Sequence, residues 1–183
     1  YLPKETPDIL PDERAVAVVG TFGDKEDFFA LKGILNEAFE KLGVLGVEYS
    51  ALRTDPAFHP GRCARIISAE GVVLGVFGQV HPTVCGNYGV KKPVFIGKID
   101  LEKLFAAQGG EKVYHPLPKF PASTRDLALL CDAELPVLTL EKAMKAAVGK
   151  ICESVALFDV YQGEQIPAGK KSVAFSLSLR AAD

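Results

Sequence analysis

Residues 155–179 read VALFDVYQGEQIPAGKKSVAFSLSL, and this stretch indicates how the second half of the chain folds. From Ser172 to Leu179 small polar and apolar residues alternate, which predicts a β-strand with one buried face. The apolar run that ends at Phe158 predicts a partner strand, and two glycines and a proline between the strands predict a loop. The unit is therefore a predicted β-hairpin with a long loop.

The predicted loop carries one aromatic residue, Tyr161, and two cations, Lys170 and Lys171. Beside an antiparallel sheet, such residues can stack on the bases and neutralise the phosphates of a single-stranded nucleic acid. They also fit a structural role in which Tyr161 covers the core and the lysines are solvated. Taken alone, the stretch favours the structural role.

The composition is that of an ordinary globular protein. The chain has 183 residues, of which 48% are hydrophobic and 24% charged, and its net charge is −2. No apolar run approaches the roughly 20 residues that cross a bilayer, and no leader is visible, so we expect no membrane partner. The four cysteines are far apart, which predicts buried thiols in a reducing cytoplasm rather than disulfides or a zinc site.

The first half of the chain contains the clearest helical pattern, at residues 24–42. Asp24 or Asp27 can cap its start, and Gly43 stands where a terminating glycine is expected. Its predicted buried stripe consists of Phe28, Leu31, Leu35, Ala38, Phe39 and Leu42. We predict that this helix packs on a mixed sheet. The predicted strands are 15–20, 47–52, 64–68, 72–80 and 94–99, with short helices at 82–88 and 101–108 and a loop at 53–62.

The glycine pair Gly109-Gly110 predicts a boundary between two domains, residues 1–110 and 115–183. In the second domain a strand at 127–131, a helix capped by Thr139 and the hairpin follow in the order β-α-β-β. The predicted inward residues of the helix are Leu140, Ala143, Met144 and Ala147.

A ferredoxin-like fold has the order β-α-β-β-α-β, so a further helix and strand would be expected after this unit. Without that helix, we predict that part of the hairpin face is exposed or packs on a neighbouring molecule. This face consists of Val173, Phe175, Leu177 and Leu179.

Candidate chemistry is sparse. His59 and His81 each precede a proline, but no third ligand has a recognisable metal spacing, which favours hydrogen bonds within loops. Three arginines, Arg53, Arg62 and Arg65, can bind phosphate, but the sequence favours surface pairing with Asp55 or Glu70. No phosphate loop, nucleophile motif or pair of catalytic carboxylates is recognisable, so the sequence predicts no catalytic residues.

Five stretches together carry a family resemblance. They are DFFALKG at 27–33, PAFHPGR at 56–62, GQVHP at 78–82, KFPASTRDLA at 119–128, and LFDVYQG at 157–163 with GKKS at 169–172. In this order and spacing they resemble the C-terminal part of the bacterial phenylalanyl-tRNA synthetase β subunit family.

The resemblance implies an α+β architecture. Residues 1–110 would form part of a catalytic-like, non-catalytic domain with the antiparallel sheet of class II synthetases. Residues 115–183 would form a truncated ferredoxin-like anticodon-binding domain. The parent enzyme would join phenylalanine to its tRNA using ATP and magnesium, as an α2β2 tetramer in the cytoplasm. No cofactor or metal site would lie within this chain.

Within the family motifs, residue type suggests which side chains contact tRNA. Tyr161 and Phe120 are our candidates for base stacking, and Arg125, Lys170 and Lys171 are our candidates for phosphate contacts. The first domain would act as scaffold against the α subunit. An alternative remains open, in which a ferredoxin-like sheet binds a protein or a small ligand and no RNA.

Overall fold

The computed structural model describes residues 13–109, 114 and 116–181. The chain divides into two compact units, residues 1–112 and 113–183, each with its own apolar core. The predicted lead-in at residues 1–12 lies outside the described residues, as do Gly110 and His115, where the predicted domains end and begin.

The first unit is built on a five-stranded sheet in which all neighbouring strands are antiparallel. The order is β1-β5-β4-β3-β2, so the helix that links β1 to β2 joins the two edges of the sheet. The antiparallel sheet implied by the family resemblance is confirmed, and the mixed sheet predicted from periodicity is wrong. The strands are β1 (Val16–Phe22), β2 (Glu48–Ala51), β3 (Phe58–Ile67), β4 (Val73–Val80) and β5 (Val94–Asp100).

Helix α1 (Phe28–Lys41) begins later than predicted because its cap is Asp27 rather than Asp24. The Asp27 carboxylate accepts a 2.7 Å hydrogen bond from the backbone N–H of Ala30, which satisfies one of the free donors at the helix start. After the last turn, Gly43 has a φ of 74°, in the left-handed region that favours glycine.

The buried stripe of α1 is narrower than predicted. Leu31, Leu35 and Phe39 are buried and pack on one face of the sheet, with Phe28 partly buried beside them. Ala38 and Leu42, which we expected in the same stripe, are exposed. Two short helices complete the unit, α2 (Pro82–Asn87) and α3 (Leu101–Ala106).

Strand β3 begins at Phe58, within the segment predicted to be a loop. The chain there contains Pro60 and Gly61, which are typical loop residues, but a register shift between Phe58 and Cys63 accommodates them within the strand. Proline is tolerated at such bulges because no ladder hydrogen bond is required of it. The neighbouring Gly78 faces this segment so closely that a Cβ atom would collide with the Arg62 carbonyl.

The second unit is a three-stranded antiparallel sheet in the order β6-β8-β7 with one helix on it. This is the β-α-β-β order expected for the first part of a ferredoxin-like fold. The elements are β6 (Ser123–Asp132), α4 (Val137–Val148), a 3₁₀ turn (Gly149–Ile151), β7 (Cys152–Tyr161) and β8 (Lys170–Leu179).

Helix α4 starts two residues before the predicted cap. Pro136 occupies the cap position, and the Thr139 amide donates to the Pro136 carbonyl, so Thr139 does not cap the helix. The predicted inward residues Ala143 and Ala147 are exposed. The side of α4 that packs on the sheet consists of Val137, Leu140, Met144 and Val148.

Helix α4 covers most of the hairpin face, so the prediction of an exposed face is wrong for Val173, Phe175 and Leu177. Val173 and Phe175 are 0% exposed, Leu177 is 7% exposed and Leu179 is partly buried. The strand lies between β6 and β7, so its inward side chains are shielded from both sides as well as from above.

The four cysteines are free thiols. Only Cys63 is buried, and burial, with a smaller effect of the Asp55 charge, raises its pKa to about 11. The other three are partly exposed, so the prediction of four buried thiols is wrong for Cys85, Cys131 and Cys152.

Candidate nucleic-acid interface

The hairpin loop of the second unit is shorter than predicted, and two backbone hydrogen bonds lie within it or close it. Strand β7 continues to Tyr161 and β8 begins at Lys170, so the loop comprises residues 162–169. The Ile166 amide donates to the Gly163 carbonyl at 2.9 Å, and the Lys170 amide donates to the Pro167 carbonyl at 3.0 Å. These bonds divide the loop into two consecutive turns.

Tyr161 stands at the end of β7 and is 42% exposed. Its register partner is Ser172, so its side chain leaves the sheet on the face away from α4. Part of the ring lies over Gly163, where a Cβ atom would collide with the tyrosine hydroxyl. The absence of a side chain at Gly163 thus leaves room for the ring, and part of the ring surface is exposed to solvent.

The two lysines of the loop differ in their surroundings. The Lys170 ammonium donates to the Asp132 carboxylate at 2.6 Å, and the two side chains are 43% and 73% exposed. The hydrogen bond and the charge of Lys170 lower the pKa of Asp132, and the same contacts raise the pKa of Lys170. An exposed pair of this kind is weak and exchanges readily for other partners.

Lys171 is only 9% exposed. Its ammonium donates to the Ala133 carbonyl at 2.8 Å and to the Leu135 carbonyl at 2.6 Å. These carbonyls belong to the segment between β6 and α4, so Lys171 ties that segment to β8. A phosphate contact would have to compete with these bonds, and we therefore expect Lys171 to act through the backbone that it holds.

Phe120 and Arg125 lie near the other end of the sheet. Phe120 precedes β6 and is 49% exposed, while Arg125 pairs in register with Leu177 and donates to the Thr124 carbonyl at 2.7 Å. From Arg125 to Asp132, the register partner of Lys170, the strand spans about 24 Å at roughly 3.4 Å per residue. The structure therefore separates the five candidate residues into two groups.

A hydrogen-bond network that we did not predict lies at the Phe120 end. Arg180 donates to the Glu153 carboxylate and to the Phe120 carbonyl, and Ser178 donates to Glu153 at 2.7 Å. The bonds from Ser178 and then Arg180 lower the pKa of Glu153. These residues come from β7, from β8 and the residue after it, and from the segment before β6, so no local sequence signal connects them.

The face of the three-stranded sheet away from α4 is open within the described part of the chain. Its centre is formed by the small residues Ser172, Ala174, Ser176 and Ser178 of β8. Asp126 on β6 and Asp159 on β7 pair in register with two of them and are exposed. The open face therefore has small residues along its central strand, a carboxylate on each outer strand beside them, and Lys170 and Tyr161 at one end.

In the first unit, the candidate ligands have structural roles. The Nδ1 atom of His59 accepts from the Gly61 amide at 3.1 Å, and that of His81 accepts from the Thr83 amide at 3.2 Å at the start of α2. Both histidines have the structural hydrogen-bonding role that we favoured, although His59 has it within strand β3 rather than in a loop. Among the described residues, no group of three or more acidic, histidine or cysteine side chains is placed to hold a metal.

Within the described residues, Arg62 has a neutral partner in place of the carboxylates that we considered. Arg62 donates to the Gln79 side chain at 2.7 Å, which joins two of the family-like stretches. Glu70 instead accepts from the Ser68 hydroxyl at 2.7 Å, and this bond lowers its pKa. No helix in the described ranges has the length and apolarity needed to span a bilayer.

Comparison with known proteins agrees with both halves of this architecture. The model of the phenylalanyl-tRNA synthetase β chain CLM domain matches residues 1–101, and that of the ferredoxin-fold anticodon-binding domain matches residues 118–183.

Relatives named phenylalanine–tRNA ligase β subunit match most of the chain. The protein of Clostridium acetobutylicum is 42% identical over 180 residues, which cover 98% of this chain and 22% of the relative. That of Bacillus subtilis is 38% identical over 187 residues, covering 97% and 23%. That of Synechocystis is 41% identical over 160 residues, covering 85% and 20%. The chain thus spans about a fifth of the length of these relatives, and it belongs to the phenylalanyl-tRNA synthetase β chain family.

Proposed function

We propose that this chain is the part of a phenylalanine–tRNA ligase β subunit that supports the enzyme with its first unit and binds the anticodon arm of tRNA with its second. The observation that carries the tRNA role is the open face of the β6-β8-β7 sheet, with a partly exposed tyrosine and a cation at one end. The match to an anticodon-binding domain over residues 118–183 supports it.

The charges of the open face suggest how RNA would lie on it. Asp126 and Asp159 would repel phosphates, while carboxylates accept hydrogen bonds from base amino groups. The bases would therefore face the sheet, one of them stacked on Tyr161, and the phosphates would run along the rim near Lys170. This is the arrangement expected for the unpaired nucleotides of an anticodon loop.

The whole enzyme would attach phenylalanine to tRNA in the cytoplasm with ATP and magnesium. Its active site would lie on an α subunit, in an α2β2 tetramer, and the first unit of this chain would contribute scaffold. The relatives' name, phenylalanine–tRNA ligase β subunit, supports the reaction and implies a second kind of subunit.

We expect the 183-residue chain alone not to activate phenylalanine. The reason is that neither the sequence nor the described residues offer a nucleotide loop, a metal cluster or a catalytic dyad. The measurement is phenylalanine-dependent exchange of labelled pyrophosphate into ATP, with the two-subunit enzyme as positive control. Exchange by the pure chain would refute this assignment.

Replacing Tyr161 by alanine in the two-subunit enzyme should weaken tRNA binding by roughly tenfold or more. Stacking on an aromatic side chain is worth about 1–3 kcal/mol per base, and about 1.4 kcal/mol corresponds to a factor of ten. The measurement is the Kd for tRNA at fixed salt. Phenylalanine activation without tRNA should be unchanged, since its site would lie on the other subunit.

Two matched variants sharpen this test. Tyr161→Phe keeps the ring and should retain most of the affinity. Phe158→Ala removes an aromatic ring that is 60% exposed in the same strand and should change the Kd for tRNA little. Unchanged tRNA affinity in Tyr161→Ala would instead favour an interaction module whose sheet binds protein or a small ligand.

A further inference from the structure

The sheet of the first unit has a concave site on the face away from α1. It is a cavity of about 380 Å³ whose walls come from β1, β3, β4, β5 and the segments beside them. Its charged residues are Arg14, Arg65, Lys98, Lys103, Asp55 and Asp100. Here we call this site the basic basin.

The sheet register places two of these cations on either side of one valine. Arg65 on β3 pairs with Val76 on β4, and Val76 pairs with Lys98 on β5, so all three side chains leave the same face. The next residue on each strand, Ile66, Phe77 and Ile99, is buried in the core on the opposite face. Arg65 and Lys98 are two strands apart, about 10 Å, and flank an apolar floor.

The charges of the basic basin are unbalanced. Four cations face two carboxylates, whereas the whole chain has a net charge of −2. Asp100 lies 3.9 Å from both Arg14 and Lys103, and Asp55 accepts a 3.0 Å hydrogen bond from the Ala57 amide. Within the described part of the chain, Arg65 and Lys98 have no hydrogen-bond or ion-pair partner, and both are exposed.

We propose that the basic basin binds the phosphate groups of a small organic polyphosphate, of the nucleotide class. The Arg65 guanidinium offers a fork of donors that matches phosphate oxygens, and the Lys98 ammonium offers a second point charge across the floor. Val76, Leu52 and Val16 supply apolar surface for the remainder of such a ligand. The cavity volume lies in the range of ordinary small-molecule sites.

This binding is separate from the proposed tRNA role, which lies in the second unit, and it requires no catalysis. Its test is calorimetric titration of the 183-residue chain with inorganic pyrophosphate and with ATP at low salt. Both should bind saturably, and the double variant Arg65→Ala/Lys98→Ala should weaken binding by at least tenfold. Because both side chains are exposed, the thermal unfolding of the variant should match that of the parent chain.

A control variant distinguishes binding at the basic basin from non-specific electrostatic attraction to the whole chain. Lys25→Ala/Lys91→Ala removes the same amount of charge from exposed lysines outside the basic basin and should bind both ligands as the parent chain does. The charge-conserving Arg65→Lys/Lys98→Arg should keep much of the affinity. Absence of binding, or equal affinity in the two alanine double variants, would overturn the proposal.

The phosphates of a nucleic-acid backbone could also bind the basic basin. A competition experiment distinguishes them from a small polyphosphate. The Tyr161→Ala chain should bind pyrophosphate as the parent chain does, since the altered side chain lies outside the basic basin. Adding tRNA to this complex should leave pyrophosphate bound if the basic basin is a site for small ligands. Displacement by tRNA would show that the basin holds RNA backbone and would refute the small-ligand assignment. Loss of tRNA affinity in Tyr161→Ala alone would bear only on the second unit.

Discussion

Truncating Phe39 to alanine should lower the free energy of unfolding of the first unit by about 3–5 kcal/mol, because a buried aromatic ring leaves a cavity that its neighbours fill poorly. Phe39 is 2% exposed and stands at the C-terminal end of the buried stripe of α1. Its carbonyl also accepts the Val44 amide at 2.8 Å, which anchors the chain as it leaves the helix.

Phe29 on the same helix provides the matched control. It is 72% exposed, so Phe29→Ala removes an equal side chain without opening a core cavity and should cost a few tenths of a kcal/mol. Urea unfolding followed by the helical circular dichroism signal measures both variants. A loss for Phe39→Ala as small as that for Phe29→Ala would mean that α1 does not pack on the sheet by this stripe.

Local signals in the sequence predicted α1 and the hairpin because each depends on residues close in the chain. Apolar spacing and a capping aspartate are sufficient for α1, and strict alternation is sufficient for β8. The same reasoning failed at β3, where Pro60 and Gly61 are typical of a loop. Their inclusion in a strand depends on pairing with β4, which local composition does not report.

The candidate tRNA-contacting residues were chosen by residue type, which does not predict where the fold places them. Alternation shows which face of β8 is buried. It does not show how β6 is aligned with β8, and this alignment places Arg125 and Lys170 near opposite ends of the sheet. Lys171 shows the same limit, because its two carbonyl partners lie more than 30 residues away in sequence. Residue type predicted a cation there, and only the fold reveals that its ammonium is already engaged.

The core of the second unit is small, and this makes its central strand sensitive to truncation. The fully buried side chains there are Val173 and Phe175, and Leu177 and Met144 are nearly so. A unit of roughly 70 residues has a total stability of about 4–10 kcal/mol. Removing one buried aromatic ring from such a core can therefore cost most of the free energy of unfolding of the second unit.

Phe175→Ala should lower the stability of the second unit by about 3–5 kcal/mol and weaken tRNA binding with it. The ring is 0% exposed and lies between Leu127 and Leu157 in register, beneath α4. Hydrogen exchange measured on peptides of each unit should show faster exchange in β6, β7 and β8. Exchange in α1 should be unchanged, since the two cores share no residue among those described.

Phe158→Ala is the control for this variant, because Phe158 is 60% exposed at the register shift of β7. It should leave exchange in β8 near that of the parent chain. If Phe175→Ala also left β8 protected, its ring would not support the sheet as described. If β8 lost protection while tRNA affinity stayed unchanged, the sheet of the second unit would not be the surface that holds the anticodon arm.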